Sequence, residues 1–241
     1  MRHGQRIGVV IPALNEEQAI GRVIAEIPAW VDEVVVADNG SVDRTPAVAR
    51  AAGARVVTEA QRGYGAACQA GISALSGVDI VVFLDGDHSD RPQEMAALVD
   101  PIAAGRADFV VGSRVSGERE PGALTPQQLF GNWLACRLIG RLSGTRCSDL
   151  GPFRAIRAEA LKRLELKDRA YGWTVEMQLS AAEKGLKYLE VPVSYRVRIG
   201  TSKISGTVLG SLKAGITILT VIGRSAWRAQ RSRSSRVSTA R

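Results

Sequence analysis

The segment "IVVFLDGDHSDRP", Ile80–Pro92, is where this sequence most plainly gathers side chains that do chemistry. Five apolar residues run directly into Asp85, Asp87, His88 and Asp90. Carboxylates crowded at the end of a buried strand repel one another and resist desolvation, so the cluster calls for a cation. "DGD" alone is a weak string, because Asp and Gly are common turn residues.

Other polar stretches follow other apolar runs. "PALNEE" spans Pro12–Glu17, "DNGSVD" spans Asp38–Asp43 and "QRGYGAA" spans Gln61–Ala67. Asn15 and Asp43 also fit as caps for the helices expected after them, and "DNGS" fits a plain turn. In an open α/β sheet, ligands bind at the carboxyl ends of the strands, where such loops converge if the strands are parallel and adjacent. No GxGxxG follows the first apolar run, which argues against a dinucleotide-dependent oxidoreductase.

The elements that would position these loops are legible from the patterning. Strands are expected at Ile7–Ile11, Glu33–Ala37, Arg55–Thr58, Ile80–Leu84, Phe109–Gly112 and Tyr188–Val193. Helices are expected at Glu17–Ile27, Thr45–Ala52, Ala66–Leu75, Pro92–Ala104, Gln127–Leu142 and Thr174–Lys184. Short apolar strands alternating with helices predict βαβ units, an α/β class and a mostly parallel sheet covered on both faces. Residues 113–126 are polar and rich in Gly and Pro, the composition of a mobile loop.

A length of 241 residues suits one α/β domain or one with a small appendage, and 45% hydrophobic content is enough for a sizeable core. Three cysteines form no CxxC pair and are odd in number, which points to a reducing compartment. The first residues lack the apolar region of a secretion signal. Ten of the 32 Lys and Arg lie from Ser194 onward with no Asp or Glu among them, leaving 22 basic against 24 acidic residues in 1–193. The basic character is therefore C-terminal and directed at phosphates or an anionic membrane surface.

From Thr207 to Arg231, Leu209, Leu212, Ile216, Leu219 and Ile222 share one helical face. Lys213, Arg224, Arg228 and Arg231 lie on the opposite one. The apolar stretch is shorter than the ~20 residues a spanning helix needs. Such a helix either lies in a membrane interface or packs on the sheet with its basic face in water. The expected division is a domain over 1–206, this helix over 207–228 and a disordered basic tail over 229–241.

The ordered set "VVIPALNEEQAI", "VVVADNGSVDRT", "RGYGAACQAGI", "VVFLDGDHSD", "FVVGSR", "SDLGPFRAI" and "RIGTSK" resembles family 2 glycosyltransferases of the GT-A fold, in particular the polyprenyl-phosphate sugar synthases. The resemblance covers the chain from Ile7 to about Gly206. It implies that "DGD" is the family's DxD motif, with Asp85, Asp87 and His88 around Mg2+ or Mn2+ that bridges to a nucleoside diphosphate. Pro12, Ala13, Asn15, Glu16, Asp38, Asn39, Ser41, Arg62, Gly63, Asp85 and Gly86 would form the nucleotide-sugar site. Asp149 and Arg154 would shape the sugar pocket or pair with each other.

The resemblance also makes Arg114 a phosphate-contacting arginine, and Arg198 and Lys203 a flexible cationic loop closing over phosphates. The implied partners are a nucleotide-sugar donor, a polyprenyl phosphate and the cytoplasmic face of a membrane, with no nucleic acid. The segment "TPQQLFGNWLACR" departs from the pattern, carrying Gln127, Gln128 and Asn132 where the lipid-phosphate synthases have an extra basic residue. A phosphate acceptor needs no general base. An alcohol acceptor does, and Glu176 in "YGWTVEMQ" is the residue for it; otherwise Glu176 binds a sugar hydroxyl or is a helix-surface charge.

Overall fold

The computed structural model describes residues 1–200 and, beyond them, Thr220 and Gly223. Lys203, the amphipathic segment apart from those two helical, exposed residues, and the basic tail lie outside the described residues. The strands are β1 (Ile7–Ala13), β2 (Glu33–Asp38), β3 (Arg55–Thr58), β4 (Ile80–Phe83), β5 (Phe109–Ser113), β6 (Arg154–Arg157) and β7 (Tyr188–Pro192). They form one sheet in the order β3-β2-β1-β4-β6-β5-β7. β6 runs antiparallel to both β4 and β5, and the other pairings are parallel.

Strand periodicity explains the layers. Along β1, Ile7, Val9 and Ile11 point to one face and Val10 to the other, and all are fully buried. The first face is covered by α1 (Ile20–Ala25), α2 (Thr45–Ala51) and α4 (Met95–Ala103). The second is covered by α3 (Tyr64–Ala74), α6 (Ala158–Leu164) and α7 (Trp173–Glu183). α5 (Pro126–Ser143) packs on α7 through Ile139, Val175 and Leu179.

α4 shows which effect wins locally. Pro101 inside it costs about 3 kcal/mol by removing a backbone hydrogen bond and crowding the preceding turn. Met95, Leu98, Val99 and Ile102 are all fully buried, and each contributes about 1.5–3 kcal/mol. Burial outweighs the proline.

The structure differs from the sequence expectations in three places. β6 and α6 occupy the stretch 154–164, which carried no periodic signal because "RAIR" starts and ends in arginine. Residues 113–126 are not a free loop. Tyr195 N donates to Glu118 O at 2.9 Å and Glu120 N to Tyr195 O at 3.0 Å, joining this segment to the chain after β7. Gln128 and Asn132, where the sequence departs from the synthase pattern, have structural work. Gln128 completes a capping box with Thr125 at the start of α5, and Asn132 bridges Ser148 O and Leu150 N.

Candidate active site

A cleft opens at the carboxyl ends of β1, β2 and β4. Its walls include Pro12 and Ala13 at the end of β1 and Glu16 after it, Asn39 after β2, Arg62–Tyr64 at the start of α3, and Asp85–Asp87 after β4. Arg198 and Tyr171 complete it.

Asn39 organises one wall of the cleft. Its amide nitrogen donates to Glu59 O at 3.1 Å and Gln61 O at 2.7 Å, while its oxygen accepts from Gly63 N at 2.7 Å. The glycine loop is thereby fastened to the end of β2. Asn15, Asp38 and Ser41 stand behind the wall. Asn15, at φ +54, accepts from Val42 N and donates its own N–H to Ser41 Oγ, and Asp38 accepts from Ser41 N. "DNGS" is thus a cross-linked strut rather than a plain turn. Asp43 accepts from Thr45 N at the start of α2, whereas Asn15 caps nothing because α1 begins only at Ile20.

The acidic floor is held from several sides. Asp85 accepts from Tyr64 Oη at 3.1 Å, and its backbone N–H donates to Asp90 at 3.1 Å. Asp87 accepts from Ser89 N at 2.9 Å and Ser89 Oγ at 2.5 Å, and its other oxygen lies 2.9 Å from Arg198. Burial, reinforced by the neighbouring Asp87 charge, pushes the Asp85 carboxyl up to about 6. Asp90, buried with one oxygen unpartnered, is pushed well upward by burial and by Asp85.

His88 is placed away from this pair. At φ +66 its ring turns to Glu26, with Nε2 2.9 Å from Oε1, so the structure does not bring it into the expected metal-ligand set. Glu26 also receives Arg196 at 2.7 Å, and that guanidinium, foremost, holds the Glu26 carboxyl down at about 2. Arg196 N donates to Ser89 O and Ile199 N to Asp87 O, both at 2.9 Å. The stem of the cationic loop therefore runs alongside the Asp87–Asp90 turn and delivers Arg198 to Asp87. This half of the loop is anchored.

Four further expected site residues, Arg114, Asp149, Arg154 and Glu176, are occupied elsewhere. Arg114 grips Asp149 through its backbone N–H and guanidinium at 2.7, 2.8 and 2.7 Å. Burial works against the guanidinium, but Asp149 outweighs it and its pKa is raised. Arg154 is fully buried and donates to the carbonyls of Leu150, Gly151 and Thr174 rather than to Asp149. Neither Arg154 nor Asp149 lines the cleft; a fully desolvated guanidinium spent on three carbonyls is a strut. Glu176 is buried and accepts from Lys167 N at 2.9 Å and Asp168 N at 2.7 Å, so it is neither an exposed charge nor a free base. Tyr64 and Tyr171 line the cleft although sequence reasoning gave neither a role; both lay inside quoted stretches, "QRGYGAA" and "YGWTVEMQ", whose other residues drew the attention.

A mostly parallel sheet with an acidic cleft at its carboxyl edge is the architecture of a GT-A glycosyltransferase. The chain belongs to glycosyl transferase family 2, whose model matches residues 8–165. An uncharacterized glycosyltransferase of Mycobacterium tuberculosis is 38% identical over 222 residues, covering 91% of this chain and 99% of that one. A dolichyl-phosphate hexose transferase of Haloferax volcanii is 37% identical over 204 residues, covering 82% and 86%. Among solved structures, glucosyl-3-phosphoglycerate synthase of M. tuberculosis, in complex with Mn2+, UDP and glucosyl-3-phosphoglycerate, superposes with a TM-score of 0.74. It is 29% identical, with 91% of this chain and 81% of that one covered.

Proposed function

We propose that the protein is a metal-dependent, inverting glycosyltransferase. It moves a sugar from a UDP- or GDP-sugar to a polyprenyl phosphate at the cytoplasmic membrane face. The observation that carries this is the pairing of Asp85 and Asp87 with Arg198 in one cleft whose other wall is built from Asn39, Arg62 and Gly63.

The donor set fits a hard divalent ion. Asp85 and Asp87 offer carboxylate oxygens, and a cation between them would offset both the burial and the Asp87 charge that push the Asp85 carboxyl up. Among the described residues no three His, Cys, Asp or Glu side chains form a full cage, which leaves ligand positions for substrate phosphates. Bound there, Mg2+ or Mn2+ would neutralise charge on the leaving nucleoside diphosphate. Asn39, Arg62 and Gly63 would hold the nucleoside, and Arg198, with Lys203 from beyond the described residues, would add cationic donors to the phosphates.

A phosphate acceptor is already an anion and needs no base, which agrees with Glu176 being spent on backbone N–H groups. The dolichyl-phosphate relative supports this acceptor. A second reading, a soluble hydroxyl acceptor that itself carries a phosphate, is favoured by the neighbour crystallised with glucosyl-3-phosphoglycerate. That chemistry would require a base, the role first assigned to Glu176.

Membrane attachment would fall to the 207–231 segment, whose apolar and basic residues segregate at helical spacing; among the described residues no helix is long and apolar enough to cross a membrane. Each basic residue near an anionic leaflet contributes on the order of 1 kcal/mol. The test offers UDP- and GDP-sugars with Mn2+ to the protein, with either polyprenyl phosphate in anionic vesicles or 3-phosphoglycerate in solution. Product on the lipid, and flotation lost on truncation after Gly206, are expected. Turnover of 3-phosphoglycerate alone, by a protein that never floats at low or high salt, would select the soluble acceptor.

A further inference from the structure

α3 begins at Tyr64 with no side-chain cap, and its first N–H groups find partners outside the helix. Gly65 N donates to Ala170 O at 3.1 Å and Ala66 N to Arg169 O at 2.9 Å. The approach is close enough that a Cβ on Gly63 would stand 2.0 Å from Arg169 O, and one on Gly65 2.2 Å from Asp168 O. The segment 165–172 is therefore the cap of α3, and Tyr171, at its end, enters the cleft beside Tyr64.

Two side chains hold that segment down. Gln69 of α3 donates to Leu166 O at 3.2 Å and accepts from Arg169 at 2.7 Å. Glu176 accepts from the consecutive N–H groups of Lys167 and Asp168 with a single carboxylate oxygen. Consecutive N–H groups aimed at one oxygen fix the path of the backbone between them, and a buried acceptor lost there leaves both donors unmet.

We infer that Glu176 is a positioning residue. It clamps segment 165–172 onto the start of α3, so that Tyr171 and Tyr64 form a preset wall of the donor cleft, and it does not take a proton from an acceptor. This rests on the nucleotide-sugar reading of the cleft. A carboxylate is not required for the task, because an amide oxygen also has two lone pairs for the two N–H groups. A general base would tolerate no such exchange.

The experiment titrates UDP and GDP with Mn2+ into wild type, E176Q, E176A and Y171A. It follows amide exchange at Gly65, Ala66 and 167–168, and measures donor KM and kcat. E176Q is expected to stay within about threefold of wild type in affinity and KM, while E176A and Y171A lose about tenfold, with kcat changed less. Exchange should quicken in E176A and not in E176Q. Unchanged exchange or unchanged nucleotide affinity in E176A would overturn the clamp, as would an E176Q that keeps its affinity but loses about a hundredfold or more in kcat. Should E176A not fold, Y171A carries the test of the wall and E176Q that of the proton. If wild type binds neither nucleotide, the reading of the cleft fails first, and the positioning role falls with it.

Discussion

The Arg198 guanidinium lies 2.9 Å from Oδ2 of Asp87 and 3.5 Å from Glu16. One oxygen of the acidic pair thus already faces a cation, and a divalent ion can take that oxygen only if Arg198 turns toward the incoming diphosphate.

Removing Arg198 should therefore separate two affinities. R198A is expected to bind Mn2+ alone more tightly and to lose roughly ten- to a hundredfold in Mn2+-dependent UDP or GDP affinity, the range of one charge-assisted hydrogen bond. D87A should lose the metal dependence itself. Calorimetry with and without EDTA checks both, and equal, metal-independent affinity in D87A and wild type would remove the metal role.

The raised Asp85 carboxyl sets a pH dependence. Its folded pKa of about 6 exceeds the ordinary 3.8, so the folded protein holds the proton more tightly than the unfolded chain. Stability then falls as pH rises from about 4 to 6, and the penalty, at most on the order of 3 kcal/mol, is complete above that. D85N should stabilise the protein at pH 7.5 and flatten urea midpoints across this window. Divalent-ion affinity of wild type should run the other way, weakening as pH drops through 6. A D85N no more stable than wild type at pH 7.5 would sink the argument.

Arg114 and Asp149 test a strut. Asp149 is fully buried, so R114A leaves a desolvated charge without its partner and should cost about 3–5 kcal/mol. The double variant R114A/D149N should cost less than the two single losses added. Denaturant unfolding measures this, and a loss below about 1 kcal/mol in R114A would place the pair outside the framework.

Glycine substitutions should have opposite signs. G63A and G65A would drive a methyl group into the backbone of segment 165–172, and Gly63 also sits at φ +145, so losses of about 2 kcal/mol or more are expected. Gly131, inside α5 with nothing within 4 Å of a Cβ, should accept alanine and gain about 0.5–1 kcal/mol. Thermal melts of the three variants decide it; a G65A as stable as wild type would refute the close approach.

The apolar runs of β1, β2, β4 and β5 were legible in the sequence because each is short, β-branched and followed by a polar loop, and burial on both faces leaves little freedom in such a pattern. The half-exposed edge strands β3 and β7 were legible from their β-branched residues and their place between helices. The pairing of Asp85 with Asp87, and the glycines of "RGYG", were legible for the same local reason. What the sequence could not determine was which polar side chains are spent on the protein itself. His88 turned to Glu26, Arg154 satisfied by three carbonyls, and Glu176 holding two N–H groups look in sequence like any catalytic candidate. Their partners lie far off in the chain or in loops without periodicity, and β6 was hidden because its first residue is a buried arginine. Only the packed structure decides where a polar group's hydrogen bonds go, because a buried donor or acceptor cut off from water must take its partner from whatever the fold brings beside it, and most do.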